Sequence, residues 1–261
     1  MEQPTTRYFT FLGTGTSSGV PVIGCRCAVC TSTDRRDARL RTAAMVSFAG
    51  QNVVIDAGPD FRQQMLRAKV DDVAAILFTH EHNDHVAGLD DVRPLNFRHK
   101  RPMPIYATPS VQADLQARFA YAFSENPYPG APSLAFFTIF KNKKFDISGM
   151  EIEPIEVLHG RGMTVLGFRF GDLTYITDCK SIENEELKKI RGSRFLILNA
   201  LHHKEHHAHL TLEQAVALAK SLDAERTFFT HISHNMGKYA YINPTLPKNM
   251  QLAFDGLRFA F

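Results

Sequence analysis

Short apolar runs rich in β-branched and aromatic residues recur along the chain, at 8–12, 45–49, 53–55, 73–79, 105–107, 152–158, 164–170, 173–177, 195–198 and 227–230. Runs of this length and composition predict strands, and strands so numerous exclude a helical bundle. Helical periodicity lies between some of them. Thr211-Leu-Glu-Gln214 has the form of a capping box, a hydroxyl N-cap with Gln three residues on, and it precedes Ala215, Val216, Leu218, Ala219 and Leu222 at helical spacing. The pattern predicts a helix over 212–222, with further helices over 60–69, 110–121 and 183–191. Strands and helices mixed in this way predict sheet layers covered by helices. With no internal repeat and no low-complexity linker, residues 1–261 read as one domain. The stretch 121–144 stands apart, because Tyr121, Phe123, Tyr128, Phe136, Phe137 and Phe140 surround a Pro- and Gly-rich centre at 126–132. It reads as an aromatic insertion, either a lid or a contact surface.

Composition narrows the function classes. At 44% hydrophobic and 22% charged the chain is an ordinary globular one. Thirty Lys+Arg against 27 Asp+Glu leave +3, too even a balance for a general nucleic-acid or acidic-membrane surface. No apolar run approaches the roughly 20 residues that span a bilayer, and the start of the chain lacks the basic and apolar segments of a signal peptide. A cytoplasmic protein is expected. The 12 His are many for this length, and three of the 4 Cys fall at Cys25, Cys27 and Cys30. Both facts point to metal.

Four strand-like runs end in a residue able to bind metal: His80, His159, Asp178 and His231. Rigid strand ends deliver ligands with the small positional error that coordination requires. The first ending is the richest, since His80-Glu-His82-Asn-Asp84-His85 places four potential ligands within six residues. As extended chain, His80, His82 and Asp84 would point one way, while Asp84 and His85 would diverge toward a second ion. His159 and His231 would complete two sites, and the Asp178 carboxylate would bridge them. Imidazole and carboxylate suit Zn, Mn or Fe.

This His-x-His-x-Asp-His motif, with the other strand-end ligands and the early Phe11-Leu-Gly-Thr-Gly-Thr run, resembles the metallo-β-lactamase superfamily over nearly the whole chain. The resemblance implies an α/β fold, a four-layer αββα sandwich with the site at one edge between the sheets. It assigns His80, His82 and His159 to one metal, Asp84, His85 and His231 to the other, and Asp178 to both. It also marks Asp56 as a partner of a ligand histidine. An N-cap for the helix after Pro59 is the competing reading of Asp56.

Cys25-Arg-Cys27-Ala-Val-Cys30 is spaced for metal rather than for disulfides. The fourth ligand is sought between Cys179 and His234. Alternation turns Cys179 away from any site that Asp178 faces, so His234 is chosen, giving a closed structural zinc centre in the loop 22–34. A redox cysteine cluster is the alternative. The Gly13-to-Pro21 run leading into this cluster, with His231-x-x-His234 near the end, is similar to the PhnP-type phosphodiesterase branch. That likeness implies hydrolysis of cyclic ribose phosphates such as 5-phosphoribosyl 1,2-cyclic phosphate, with two catalytic ions, Mn or Zn, and one structural Zn. The pyrroloquinoline quinone biosynthesis B protein shares the cysteine cluster but departs from the full histidine motif.

Paired ions lower the pKa of bound water from 15.7 to about 7, which makes hydroxide available to attack a phosphodiester. The catalytic candidates are Asp84, as a ligand, and His209, as the acid that protonates the leaving oxygen. His209 precedes the Thr211 cap, where the family places a catalytic His. His202, His203, His206 and His207 share its loop and read as solvated. Arg161, Lys180 and Tyr128 are further substrate contacts to test against the structure. The partner expected is a small phosphodiester, with no membrane and no nucleic acid, and a homodimer follows from the resemblance alone. Alternatives are a tRNA 3′-end endonuclease, with 121–144 and its lysines as an RNA-gripping arm, and a non-hydrolytic metal protein like the quinone-pathway one.

Overall fold

The computed structural model describes residues 6–261, and the chain builds two halves of like construction. The first runs β1 (Tyr8–Gly13), β2 (Ala43–Phe48), β3 (Gln51–Ile55), α1 (Phe61–Ala68), β4 (Ala75–Leu77), the one-turn α2 (Asn83–Val86), α3 (Arg93–His99), β5 (Met103–Ala107), α4 (Pro109–Arg118) and β6 (Leu134–Thr138). The second runs β7 (Phe145–Ile147), β8 (Met150–His159), β9 (Met163–Phe170), β10 (Leu173–Tyr175), α5 (Asn184–Ile190), β11 (Phe195–Asn199), α6 (Leu212–Leu222), β12 (Arg226–Thr230), α7 (Tyr239–Ile242) and β13 (Met250–Leu252). A last strand, β14 (Arg258–Ala260), returns to pair with β1. The sheets have the orders β14-β1-β2-β3-β4-β5-β6 and β13-β12-β11-β10-β9-β8-β7.

Each sheet is antiparallel at first and then parallel. β1 to β3 and β7 to β10 are meanders, and from β3 and β10 onward the strands run parallel. Parallel neighbours need a crossover, which α1, α4, α5 and α6 help supply. Strand alternation then sorts the apolar residues into three cores. In β4, Ala75 and Leu77 face the opposite sheet while Ile76 lies under the helices, and in β11 Phe195 and Ile197 divide in the same way from Leu196 and Leu198. One core between two sheets and one under each helical layer make the four-layer αββα sandwich. The central core is aromatic: Phe9, Phe11, Phe168, Phe170, Tyr175 and Phe228 are fully buried there, each contributing roughly 1.5–3 kcal/mol by leaving water.

The capping box forms as the sequence predicts: the Thr211 hydroxyl accepts from Gln214 N–H, the Gln214 side chain accepts from Thr211 N–H, and α6 buries Leu212, Ala215, Ala219 and Leu222. The strands that the hydrophobic pattern leaves unread are β6, β7, β13 and β14, the four sheet edges. One of them changes the picture of 121–144. Leu134–Thr138 is β6, paired in parallel with β5, so these five residues of that stretch are sheet edge rather than insertion. Its rings pack on neighbours, Phe137 on Tyr106 at 4.8 Å and Phe136 on Phe123 at 5.4 Å. Among the described residues no helix is long and apolar enough to cross a membrane.

Candidate metal centres

Five strand ends meet at one edge of the sandwich. His159 is the last residue of β8, Asp56 and His231 directly follow β3 and β12, and His80 and Asp178 lie three residues beyond β4 and β10. Asp56, Asp178 and His231 all have left-handed backbones, with φ of 66°, 51° and 57°. Such a conformation costs a non-glycine residue about 1–3 kcal/mol and persists only where surroundings impose it. Here they do. The Asn199 side chain closing β11 accepts from Cys179 N–H at 2.9 Å and donates to Cys179 O at 3.0 Å, which fixes the chain beside Asp178. Ile232 N–H donates to Thr14 O and its carbonyl accepts from Thr16 N–H, which fixes the chain beside His231. The early Gly-Thr-Gly-Thr run is therefore a clamp on a ligand strand.

The His-x-His-x-Asp-His motif is not extended, contrary to the alternation read from its spacing. His82 caps the one-turn α2, and Asp84 and His85 lie within it. The turn is pressed against the chain after β3, where Ala57 N–H donates to His85 O at 2.8 Å. A Cβ on Gly58 would fall 1.9 Å from Asp84 O, so only glycine permits the approach. Arg118 of α4 holds the other side, donating to Asn83 Oδ1 at 3.1 Å and Glu81 O at 3.2 Å.

All the predicted ligands of the first centre come together. One ligand atom from each of His80, His82 and His159 lies within 4.8 Å of the others, and the same holds for Asp84, His85 and His231 and for His80, His85 and Asp178. Asp178 reaches His85 Nε2 at 3.3 Å and His231 Nε2 at 3.1 Å, and Asp84 reaches His85 Nε2 at 3.3 Å. These approaches lack hydrogen-bond geometry, and His80 Nε2, His85 Nε2 and both His231 nitrogens are buried without a partner. The opposite nitrogens of three rings are committed: His159 Nδ1 donates to Ala208 O at 2.9 Å, His85 Nδ1 to Asp56 Oδ2 at 2.7 Å, and His80 Nδ1 meets Thr79 Oγ1 at 2.9 Å. Buried nitrogens left bare beside carboxylates fit divalent cations.

The electrostatics agree. Burial alone would raise Asp84 and Asp178, yet facing His85 and His231 hold both carboxyls below their usual range. Burial likewise opposes the charged form of His231, but Asp178 and Asp84 outweigh it and lift its pKa to about 9. Asp56 is not an N-cap: α1 begins after Asp60, and the Asp56 carboxylate accepts from His85 and Thr79.

His209 lies 8% exposed beside this cluster, its Nδ1 3.9 Å from Asp178 Oδ1 and its ring 4.7 Å from those of His159 and His231. Burial, with His231 nearby, pushes its pKa down to about 2. Of its loop neighbours, His206 packs on it at 5.1 Å, whereas His203 turns to Glu213 and Met236 O, each at 3.0 Å. Lys180 pairs with Glu205, Arg161 is exposed in a turn, and Tyr128 is 73% exposed at a loop tip. Thr79, Asn199, Arg118 and the Ala208 carbonyl hydrogen-bond to the residues of the cluster or to the chain beside them, and sequence reasoning missed them. The one available signal was Asn199, a polar residue closing an apolar strand.

The second centre also assembles as read. Cys25, Cys27 and Cys30 place their sulfurs 3.3, 3.5 and 3.5 Å from His234 Nδ1. Zinc bonds of about 2.3 Å to sulfur and 2.0–2.1 Å to nitrogen, at a tetrahedral angle, span about 3.6 Å between ligand atoms, so the cluster fits that ion. Cys30 N–H and His234 favour the Cys27 thiolate, lowering its pKa to about 6. Cys179 takes no part; it is buried in the core under α5 and α6, as alternation predicts.

Comparison with known proteins bears on both centres. Residues 51–232 match the family model described as a beta-lactamase superfamily domain. A diphosphatase from the PhnP family shares 40% identity with a TM-score of 0.92, covering 98% of this chain and 97% of that one. A protein of Porphyromonas gingivalis named octanoyltransferase is 39% identical over 94% of this chain, which spans only 50% of that relative's length. Coenzyme PQQ synthesis protein B of Methylorubrum extorquens is 31% identical over 74% of this chain and 72% of its own. With the family model and a full-length relative in agreement, the chain belongs to the metallo-β-lactamase superfamily and, within it, to the PhnP family.

Proposed function

We propose that this metal-dependent hydrolase is a phosphodiesterase acting on a small cyclic ribose phosphate or nucleotide-like phosphodiester. What carries the reading is the set of buried imidazole nitrogens without partners that face two ionised carboxylates. His80, His82 and His159 would hold one ion and Asp84, His85 and His231 another, with Asp178 in reach of both. Mn and Zn each accept such donors. Two divalent ions bound there would supply activation of water at neutral pH and shielding of phosphoryl charge. A zinc held by Cys25, Cys27, Cys30 and His234 would be structural.

The remaining work falls to side chains. His82 is exposed while His80, His85, His159 and His231 are buried, so substrate approaches from the His82 side. His209 lies outside both ligand sets yet beside Asp178, in position to give a hydrogen bond and then a proton to the leaving oxygen. Held neutral by burial, it must first gain a proton, and the charge of a bound phosphodiester favours that gain. The relative named a diphosphatase adds a diphosphate as a second substrate class to test, since its phosphorus carries a similar anionic oxygen. Against the endonuclease reading, Leu134–Thr138 of the expected arm is bound into the first sheet as its edge strand β6.

Zn- or Mn-loaded protein is expected to cleave bis(p-nitrophenyl) phosphate, with ADP-ribose as the diphosphate comparison. His209→Ala is expected to lower kcat about 10²- to 10⁴-fold. Inertness toward both substrates with the ions in place would reinstate the non-hydrolytic alternative.

A further inference from the structure

Asp56 is fully buried and is linked to two ligand histidines, to one directly and to the other through Thr79. Its Oδ2 accepts from His85 Nδ1 at 2.7 Å, and its Oδ1 accepts from Thr79 N–H at 2.9 Å. The Thr79 hydroxyl lies 3.1 and 3.0 Å from the two carboxylate oxygens and 2.9 Å from His80 Nδ1. A hydroxyl has one proton, and a carboxylate can only accept, so that proton points to Asp56. The hydroxyl's lone pair is then left for His80, which must carry its own proton on Nδ1. Nε2 is thereby bared toward the cluster, where it is buried and without a partner.

We infer that Thr79 is a positioning residue that relays the Asp56 carboxylate to His80, so that one buried acid orients a histidine in each of the two ligand sets. His85 is held directly and His80 through the hydroxyl. The inference rests on the two-ion reading and adds an asymmetry to it. Thr79 serves only the set of His80, His82 and His159, whereas Asp56 serves both. Nothing else among the described residues hydrogen-bonds His80 Nδ1.

The test is zinc binding to the full chain, read as equivalents bound against a chelator-buffered zinc series. Thr79→Val keeps the shape and removes the hydroxyl; Thr79→Ser keeps the hydroxyl and removes the methyl. One equivalent is expected to bind about 10- to 100-fold more weakly in Thr79→Val, with near wild-type binding in Thr79→Ser and two equivalents weakened in Asp56→Asn. The cysteine centre should stay filled in all three, which verifies folding. Should Thr79→Val not fold, Thr79→Ala is the second hydroxyl-free variant. Equal weakening by Val and Ser, or of both cluster ions in Thr79→Val, would overturn the relay. Wild-type protein binding only one zinc besides that of the cysteine centre would overturn the two-ion reading, and the relay with it.

Discussion

The two metal-capable centres lie within three residues of each other at His231 and His234, yet they are built by opposite means. The histidine and carboxylate cluster takes its ligands from strand ends in both sheets and from the turn α2 with its N-cap, and most of them are buried. The cysteine centre takes three ligands from one loop, all partly or fully exposed, and reaches the body of the protein through His234. That loop has little core of its own: Val29 is buried, but Ile23 is wholly exposed. The first centre is thus shaped by the fold before any ion arrives, and the second shapes a segment that the fold alone leaves weakly held. Ions in the one should matter to chemistry, and the ion in the other to stability.

The largest expected effect separates them from the chemical side. Asp178 approaches both His85 and His231, and breaking buried charge contacts of this kind costs about 3–5 kcal/mol. If that cost falls on the transition state, Asp178→Ala should lower kcat/KM on bis(p-nitrophenyl) phosphate by roughly 150- to 5,000-fold. Metal analysis should still find the cysteine-centre zinc. Loss of every ion from that variant would mean that the centres do not form independently.

The converse variant, Cys27→Ser, should lose one zinc per chain and unfold at lower temperature, by the several kcal/mol that a structural ion contributes. The activity of the remaining folded protein should fall less than about tenfold. His231 keeps its place without the cysteine loop, because Ile232 is paired with Thr14 and Thr16 on the first sheet's side. A drop in activity as deep as that of Asp178→Ala, in protein still folded at the assay temperature, would show that the two centres act as one.

This contrast also explains what could be read from the chain. Interior strands such as β4 and β11 face an apolar layer on both sides, so their composition announces them. The edges β6, β7, β13 and β14 pair on one side only; β7, β13 and β14 are three residues long, and the rings of β6 read as part of an aromatic insertion. The ligands were legible because imidazole, thiolate and carboxylate at strand ends are uncommon together. Their supports were not. Asn199 and Ala208 act on Cys179 and His159, partners far away in the sequence, through ordinary amides. The left-handed turns at Asp56, Asp178 and His231 carry no glycine to signal them, and the helical turn at Asn83–Val86 is too short for periodicity to show.

The smallest expected effect concerns how far the chemical centre extends into the histidine loop. Ala208 is held from two sides: its carbonyl accepts from His159 Nδ1 at 2.9 Å, and its N–H donates to His206 Nδ1 at 3.2 Å. His206 therefore steadies the peptide that aims a ligand, although it stands outside the ligand sets. Removing that single hydrogen bond costs about 0.5–1.5 kcal/mol, so His206→Ala should slow turnover roughly 2- to 12-fold, far less than His209→Ala. An asparagine can offer its amide oxygen near the Nδ1 position, so His206→Asn should recover most of the loss while His206→Gln should not. A loss in His206→Ala matching that of His209→Ala would move the proton-donor role one step outward, from the buried ring at the cluster to the one packed against it.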